Sequence, residues 1–151
     1  MNLRALSVRL AKEMCYNKKV KCYNYSNFKE TLFRYNEEDW KKFIPCLSEE
    51  ICIPNKYQLP INNEYFDFFL IHWPPNIDTQ IHGHSNFGCL QKVLQGFILE
   101  KRFDIHSGYF QNKKILGVND TSFINDKTAY HKIHNPSDDD SYSLHIYHPK
   151  K

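Results

Sequence analysis

Apolar residues near the start of the chain recur at the spacing of an amphipathic helix. Four of them follow one another at intervals of three or four residues, which places them on one helical face. They are Leu3, Leu6, Leu10 and Met14. Further helices are expected from Ser26, a suitable N-cap, through Phe33, and from Glu37 through Phe43, before Pro45. The first third of the chain is therefore predicted to be mainly helical.

From residue 65 onward the pattern changes to short runs of Phe, Tyr, Ile, Val and Leu, separated by turn residues. Eight runs are long enough to be β-strands. They are 65–73, 80–84, 89–94, 96–103, 108–116, 121–125, 130–134 and 143–147. Short, evenly punctuated strands are typical of an antiparallel barrel or sandwich. The sequence therefore predicts a mainly β fold, in which N-terminal helices pack against a small antiparallel barrel.

The length and the composition indicate one globular domain. The chain has 151 residues, of which 41% are hydrophobic and 25% charged, and this excludes the disordered and fibrous classes. We expect residues 1–52 to form the mainly helical part of the domain and residues 56–149 its β-barrel.

Charge and cysteine content limit the possible partners. Twenty Lys and Arg residues against seventeen Asp and Glu are scattered along the chain, so a nucleic-acid surface is not expected. No apolar run is long enough to span a bilayer, and no signal-peptide pattern is present. Five cysteines without framework spacing favour reduced thiols and a cytoplasmic location. We expect a monomer that binds neither nucleic acid nor a membrane.

The histidines suggest a metal site. His82 and His84 flank Gly83, and on a strand residues i and i+2 point to the same face, so both imidazoles can reach one ion. Imidazole suits iron, zinc, copper and nickel, and a third ligand from another strand would complete the site. A His-x-His pair taken alone is also a common chance occurrence.

A second polar group lies near the C-terminus, where Ser143, His145 and Tyr147 share one face of a predicted strand. Such a row is costly inside a protein unless each polar group finds a partner. It is either a hydrogen-bonded row covered by a loop or a relay that directs the Tyr147 phenol towards a reactive centre.

Several segments resemble the cupin superfamily. The stretch from His82-Gly83-His84 through Cys89 to Gly96 is similar to the first cupin motif, with Cys89 in place of the usual acidic residue. His131 and Asn135 are similar to the end of the second motif. The Pro and Gly that commonly precede that histidine are absent.

Within the cupins, the pattern resembles cysteine dioxygenase, a thiol dioxygenase with non-haem iron. Residues 81–96 align with that family without a gap, including Lys92, and residues 124–126 and 143–147 match two further family segments. The resemblance covers roughly residues 26–149. It implies a single cupin domain over residues 1–151.

The resemblance also implies a cofactor and roles for individual residues. His82, His84 and His131 take the positions of the Fe(II) ligands. Cys89 and Tyr147 take the positions that form a thioether cross-link in animal members. Ser143 and His145 would orient the Tyr147 hydroxyl. The partners implied are a small-molecule thiol and O2, and the product is a sulfinic acid.

The chain departs from the family where the substrate carboxylate is bound. Cysteine dioxygenases use an arginine there, but residues 55–60 contain none, and Lys56, Tyr57 or Gln58 takes its place. A lysine would pair as a point charge and would lose the planar fork of arginine. The resemblance as a whole favours L-cysteine as the substrate. A glutamine would resemble the 3-mercaptopropionate dioxygenases, which usually have glycine at the position of Cys89.

Two other hypotheses remain open. The chain is either an enzyme of small thiols or a non-catalytic metal-binding cupin that holds zinc or nickel. A plain binding cupin has no reason to place Cys89 and Tyr147 beside the metal, so this pair favours the enzyme. Oxidation of an N-terminal cysteine in a peptide ranks last, because the related family with that activity lacks the block at residues 143–147.

Overall fold

Two facing antiparallel β-sheets form the centre of the molecule. This computed structural model describes residues 1–20, 25–45, 53–61, 63–84 and 88–148. The helices are α1 (Leu3–Val20), α2 (Tyr25–Phe33) and a 3₁₀ helix (Asp39–Phe43). The strands are β1 (Asn55–Gln58), β2 (Asp67–Trp73), β3 (Cys89–Gln95), β4 (Phe97–Phe103), β5 (Phe110–Gly117), β6 (Thr121–Ile124), β7 (Tyr130–His134) and β8 (Ser141–Tyr147).

The strands form a five-stranded sheet in the order β1-β2-β8-β3-β6 and a three-stranded sheet in the order β5-β4-β7. Neighbouring strands within each sheet pair antiparallel. The predicted mainly β architecture with N-terminal helices is therefore confirmed. Because side chains directly opposite each other in a ladder share a face, the register also states which residues point between the sheets.

The outer face of the five-stranded sheet packs against the helices. The four residues that set the helical pattern, from Leu3 to Met14, are at most 4% exposed, so the predicted first helix is confirmed. It extends six residues beyond Met14. From the sheet, Tyr142, Leu144 and Ile146 enter the same apolar cluster. Each fully buried side chain of this kind stabilises the fold by about 1.5–3 kcal/mol.

One buried lysine connects the sheet to α2 by directional contacts. The Lys92 ammonium, on β3, donates hydrogen bonds to the carbonyl oxygens of Leu32 (3.2 Å), Phe33 (2.8 Å) and Tyr35. These carbonyls lie at the end of α2, where the helix supplies no donors of its own. Burial lowers the pKa of Lys92 to about 8. The positive charge of the ammonium also interacts favourably with the negative C-terminal end of the α2 helix dipole.

The space between the sheets has an apolar end and a polar end. Six buried residues fill the apolar end. They are Ile71, Trp73, Val93, Ile98, Leu116 and Ile133. The polar end contains the residues described in the next subsection.

One predicted strand is not formed, and one observed strand was not predicted. Residues 80–84 do not form a strand; they make an isolated bridge in which the His82 and His131 amides exchange bonds of 2.9 and 3.0 Å. The chain approaches its neighbours closely here, because a Cβ on Gly83 would lie 2.5 Å from an Asp126 oxygen. In addition, β1 was not predicted.

Two properties of the described residues bear on the earlier expectations. No helix among them is long and apolar enough to cross a membrane. Cys15 and Cys89 are free thiols. Cys22, Cys46 and Cys52 lie outside the described residues.

Candidate metal centre

Three histidines from two parts of the chain converge at the polar end of the barrel. One ring nitrogen from each of His82, His84 and His131 lies within 4.8 Å of the others. The backbone bridge between His82 and His131 brings their rings to a centroid distance of 4.6 Å. His84 and His131 are buried, whereas His82 is exposed. The structure thus brings together all three histidines for which the sequence suggested a metal.

The geometry of this cluster fits a divalent first-row metal ion. The Nδ1 atoms of His82 and His131 lie 2.9 Å from the Gln80 carbonyl and 2.8 Å from the Glu100 carboxylate, so each ring donates from Nδ1. Their Nε2 lone pairs then face each other at 3.0 Å. Two nitrogens at right angles around an ion, each about 2.1 Å away, would be about 3.0 Å apart. Burial lowers the pKa of His84 to about 3, which keeps it neutral for binding.

A buried carboxylate supports His131 from behind. Glu100, on β4, is 2% exposed and accepts from His131 through Oε1. Its Oε2 accepts from Ser122 at 2.8 Å and from the Arg102 guanidinium at 3.2 Å. Burial alone would raise the pKa of Glu100, but the bonds from His131 and the Arg102 charge hold it below its ordinary value. Such a carboxylate fixes the tautomer and the orientation of a metal-binding imidazole.

Cys89 and Tyr147 lie directly opposite each other on β3 and β8. Burial raises the pKa of the Cys89 thiol to about 12, although its hydrogen bond with Tyr147 lowers it. Burial and the same contact raise the pKa of Tyr147. The Tyr147 ring is stacked on His84 at a centroid distance of 5.9 Å. The pair therefore adjoins the histidine cluster.

A chain of hydrogen bonds leads from Trp73 to the Cys89 sulfur, which is itself hydrogen-bonded with Tyr147. The Trp73 indole donates to the Ser143 hydroxyl at 2.7 Å, and Ser143 lies 2.8 Å from His145 Nε2. Because the indole is only a donor, Ser143 is free to donate its own proton to Nε2. The neutral His145 ring then carries its proton on Nδ1, which lies 3.5 Å from Cys89 Sγ. Burial, followed by the nearby histidine charges, holds the pKa of His145 well below its ordinary value.

The hydrogen bonds from His145 lead to Tyr147 through the Cys89 sulfur. His145 and Tyr147 are two residues apart on one face of β8, and their rings are stacked at 6.0 Å. Among the described hydrogen bonds, the ring nitrogens of His145 bond to Ser143 and Cys89.

The three residues proposed to bind the substrate carboxylate lie on β1 but do not all point to the same face of the sheet. Lys56 points between the sheets, with its Nζ 4.1 Å from the Tyr147 ring centre and 3.9 Å from that of Phe69. Gln58 shares that face and donates to Asp67 at 3.5 Å. Tyr57 points to the opposite face and packs against the helical core. Lys56 is therefore the candidate beside the histidines.

The comparison with protein families agrees with this geometry. The model of the family "Cysteine dioxygenase type I" matches residues 6–150. The chain belongs to this family. The histidine cluster, the Cys89–Tyr147 pair and the Lys56 side chain are thus features of a cysteine dioxygenase family member.

Curated relatives of the family match only in part. Cysteine dioxygenase type 1 of Danio rerio is 28% identical over 129 residues, which cover 78% of this chain and 60% of that protein. The Homo sapiens protein of the same name is 32% identical over 93 residues, which cover 58% of this chain and 46% of that protein. The chain therefore spans about half the length of the curated relatives it matches.

Solved structures establish the fold class. A protein of Thermus thermophilus superposes with a TM-score of 0.56 at 16% identity, over 78% of this chain and all of the other. A cupin superfamily protein of Desulfitobacterium hafniense superposes with a TM-score of 0.53 at 14% identity, over 68% of this chain and 84% of the other. The β-barrel of this cysteine dioxygenase family member is a cupin barrel.

The sequence analysis missed Glu100 and Arg102, which support His131 in this family member. A signal was present, because strand alternation places both on the same face of β4 as Ile98, which is fully buried. An ionisable residue on a buried face is almost always paired with another polar group, so such a residue predicts a polar network inside the protein.

Proposed function

We propose that the protein is an Fe(II)-dependent thiol dioxygenase that oxidises L-cysteine to cysteine sulfinic acid. The observation that carries this proposal is the juxtaposition of three metal-binding imidazoles, a cross-strand Cys–Tyr pair and one ammonium group. Both atoms of O2 enter the product, so the reaction needs no further reductant. From the cysteine content we also propose a cytoplasmic location.

His82, His84 and His131 would hold the iron through neutral imidazoles. When bound, iron supplies sites for the substrate thiolate and for O2, together with the redox chemistry that joins them. Three neutral ligands leave the ion with its full double charge, which favours an anionic thiolate. Glu100 would keep the His131 lone pair aimed at the ion.

Lys56 would bind the substrate carboxylate. Its ammonium lies over the Tyr147 ring, and its positive charge acts on His82, His84 and Cys89. A lysine offers a point charge in place of the planar fork of the family's arginine. It therefore recognises the carboxylate with less geometric selectivity, and 3-mercaptopropionate, which has the same thiol and carboxylate, is the closest competing substrate.

Cys89 and Tyr147 would form the thioether cross-link, in which a C–S bond replaces the Cys89 S–H bond and one ring C–H bond of Tyr147, and O2 takes up the two electrons and two protons. Their opposed positions on adjacent strands and their mutual hydrogen bond support this assignment. The link would hold the phenol in one rotamer beside the reacting atoms. Ser143 and His145 would keep the Cys89 sulfur in place for it.

The proposal is tested by oxygen uptake of protein loaded anaerobically with iron, with L-cysteine and 3-mercaptopropionate compared side by side and sulfinate measured as the product. We expect uptake with cysteine preferred. A preference for 3-mercaptopropionate would change the substrate but retain the reaction class. Stoichiometric binding of iron without oxygen uptake in the presence of either thiol would refute the dioxygenase hypothesis and would favour a non-catalytic metal-binding cupin.

Three variants of β1 test the role of Lys56. Lys56→Met should raise KM for cysteine by about tenfold or more, since a charge-assisted bond contributes roughly 1.5–3 kcal/mol. Tyr57→Phe, on the opposite face, should leave KM unchanged. A raised KM in Gln58→Leu together with a normal KM in Lys56→Met would assign the carboxylate to Gln58.

A further inference from the structure

An opening lies at the side of the barrel opposite Lys56, where β4 and β5 face β6 and the start of α2. Its volume is 440 Å³, and Lys29, Arg102, Asn112, Lys114 and Thr121 are among the residues that line it. We call it the cationic opening. Lys114 stands opposite Glu100 and Asn112 opposite Arg102 in the β4–β5 ladder. The four side chains therefore share the inner face of that sheet.

Positive charge prevails in the cationic opening. Three cations, on Lys29, Lys114 and Arg102, stand against one carboxylate, Glu100. That carboxylate is already occupied by bonds from His131, Ser122 and Arg102. Within the described part of the chain, neither Lys29 nor Lys114 has a carboxylate in ion-pair distance. The two ammonium charges are thus not neutralised by the protein groups around them.

Arg102 presents an unused donor edge. Its Nε and Nη2 bond to Glu100, and Nη2 also bonds to Ser122 Oγ at 2.9 Å and to the Phe123 carbonyl at 2.8 Å. These bonds fix the guanidinium across the gap between the two sheets. No described residue accepts from Nη1, and the side chain is 23% exposed. Nη1 therefore keeps its N–H donors for an oxyanion from outside, at a guanidinium whose position is fixed.

We propose that the cationic opening binds a small oxyanion of the phosphate type. Arg102 holds it through Nη1, Lys114 supplies a second charge from β5, and Lys29 closes the rim from α2. Asn112 and Thr121 supply neutral donors on the same wall. The anion would lie three hydrogen bonds from His131: one to Arg102, one from Arg102 to Glu100, and one from His131 to Glu100. The proposal stands independently of the proposed dioxygenase activity.

Calorimetric titration of the metal-loaded 151-residue chain with inorganic phosphate tests this site, at constant ionic strength set with chloride. We expect saturable binding of one phosphate per chain. Lys114→Met should weaken it by about tenfold, because it removes a charge-assisted contact. Lys29→Met should weaken it as well, and the double variant should abolish it.

Lys113→Met is the matched control. Lys113 is the neighbour of Lys114 on the same strand, pairs with Lys101, and therefore points to the opposite face. The Lys113→Met variant removes the same net charge as Lys114→Met. A phosphate affinity within about twofold of that of the parent protein therefore supports the proposed site. Equal weakening by Lys113→Met would show a general charge effect and overturn the proposal. Phosphate binding that survives in the Lys29 and Lys114 double variant would place the anion elsewhere, including on the metal, and would also overturn it.

Discussion

On β8, at the centre of the five-stranded sheet, both faces are buried but differ in chemistry. Leu144 and Ser143 are neighbours on β8, and both have no exposed surface. Leu144 points to the helices, into an apolar cluster that includes Leu6 and Leu70. Ser143 points between the sheets, where its hydroxyl is bonded to Trp73 and His145. Burial alone therefore does not distinguish the core from the functional site.

The difference lies in what each buried side chain requires of its neighbours. On the helical face the attraction is non-directional, so a lost methyl group costs the surface and packing that it provided. Between the sheets, side chains such as Ser143 and His145 are bonded to particular partners, and removal of one group leaves another unpaired. Mutations of the helical face should change stability, whereas mutations of the inner face should change the site more than the fold.

The largest effect is expected for His131→Asn. The amide can still donate to Glu100, so the fold is preserved, but one metal ligand is lost. We expect metal binding at least about 100-fold weaker and no detectable oxygen uptake. Cobalt titration followed by absorbance, with circular dichroism as the check on folding, measures this. His134→Asn, on the other face of β7, is the control, and undiminished cobalt binding by His131→Asn would exclude this ligand.

Leu144→Ala and Ser143→Ala test the two faces at adjacent positions. Leu144→Ala should lower the free energy of unfolding by about 3 kcal/mol and leave the cobalt stoichiometry of the folded protein unchanged. Ser143→Ala should cost only about 1–2 kcal/mol, but it leaves the Trp73 indole and the His145 ring without their partner. It should therefore lower kcat. Urea unfolding gives the free energy of unfolding, and steady-state kinetics with cysteine at constant O2 give kcat. Equal losses of stability with unchanged kcat would remove the distinction between the faces.

Glu100→Gln should weaken metal binding without unfolding the protein. The amide has nearly the shape of the carboxylate, but its weaker acceptor no longer fixes the His131 ring as strongly. Loss of such a partner typically costs 10–100-fold in metal affinity. Ser122→Ala is the matched control, because Ser122 bonds to the carboxylate oxygen that does not contact His131. A larger effect from Ser122→Ala than from Glu100→Gln would show that Glu100 acts only through the fold.

The contrast between the two faces of the sheet explains which features could be predicted from the sequence. The spacing of Leu3, Leu6, Leu10 and Met14 predicted α1 because one side of that helix is buried and the other is wet. The strands were predicted by runs of β-forming side chains between turn residues. The three histidines could be assembled because a family motif supplied their order, whereas residue spacing alone suggested only His82 and His84.

The rest depends on contacts between distant segments. Strand β1 was missed because Asn55–Gln58 contains one aromatic residue among polar ones and is held by its pairing with β2. Residues 80–84 alternate like a strand, yet the close approach at Gly83 limits them to one bridge. The partner of Glu100 lies 31 residues away on β7, so its role follows from the register of the ladder.

The smallest effect concerns pH and the inner face of the metal-free protein. Burial lowers the pKa of His84 to about 3 and that of His145 well below its ordinary value, about 6.5. The unfolded chain therefore binds more protons as pH falls through 6.5, and the free energy of unfolding decreases. Between pH 7 and pH 6 each of these histidines should remove roughly 0.7 kcal/mol. Urea unfolding at the two pH values measures this loss. His145→Gln should reduce this loss by roughly 0.7 kcal/mol, the contribution of one such histidine. A loss that is identical in His145→Gln would show that His145 is not held neutral between the sheets.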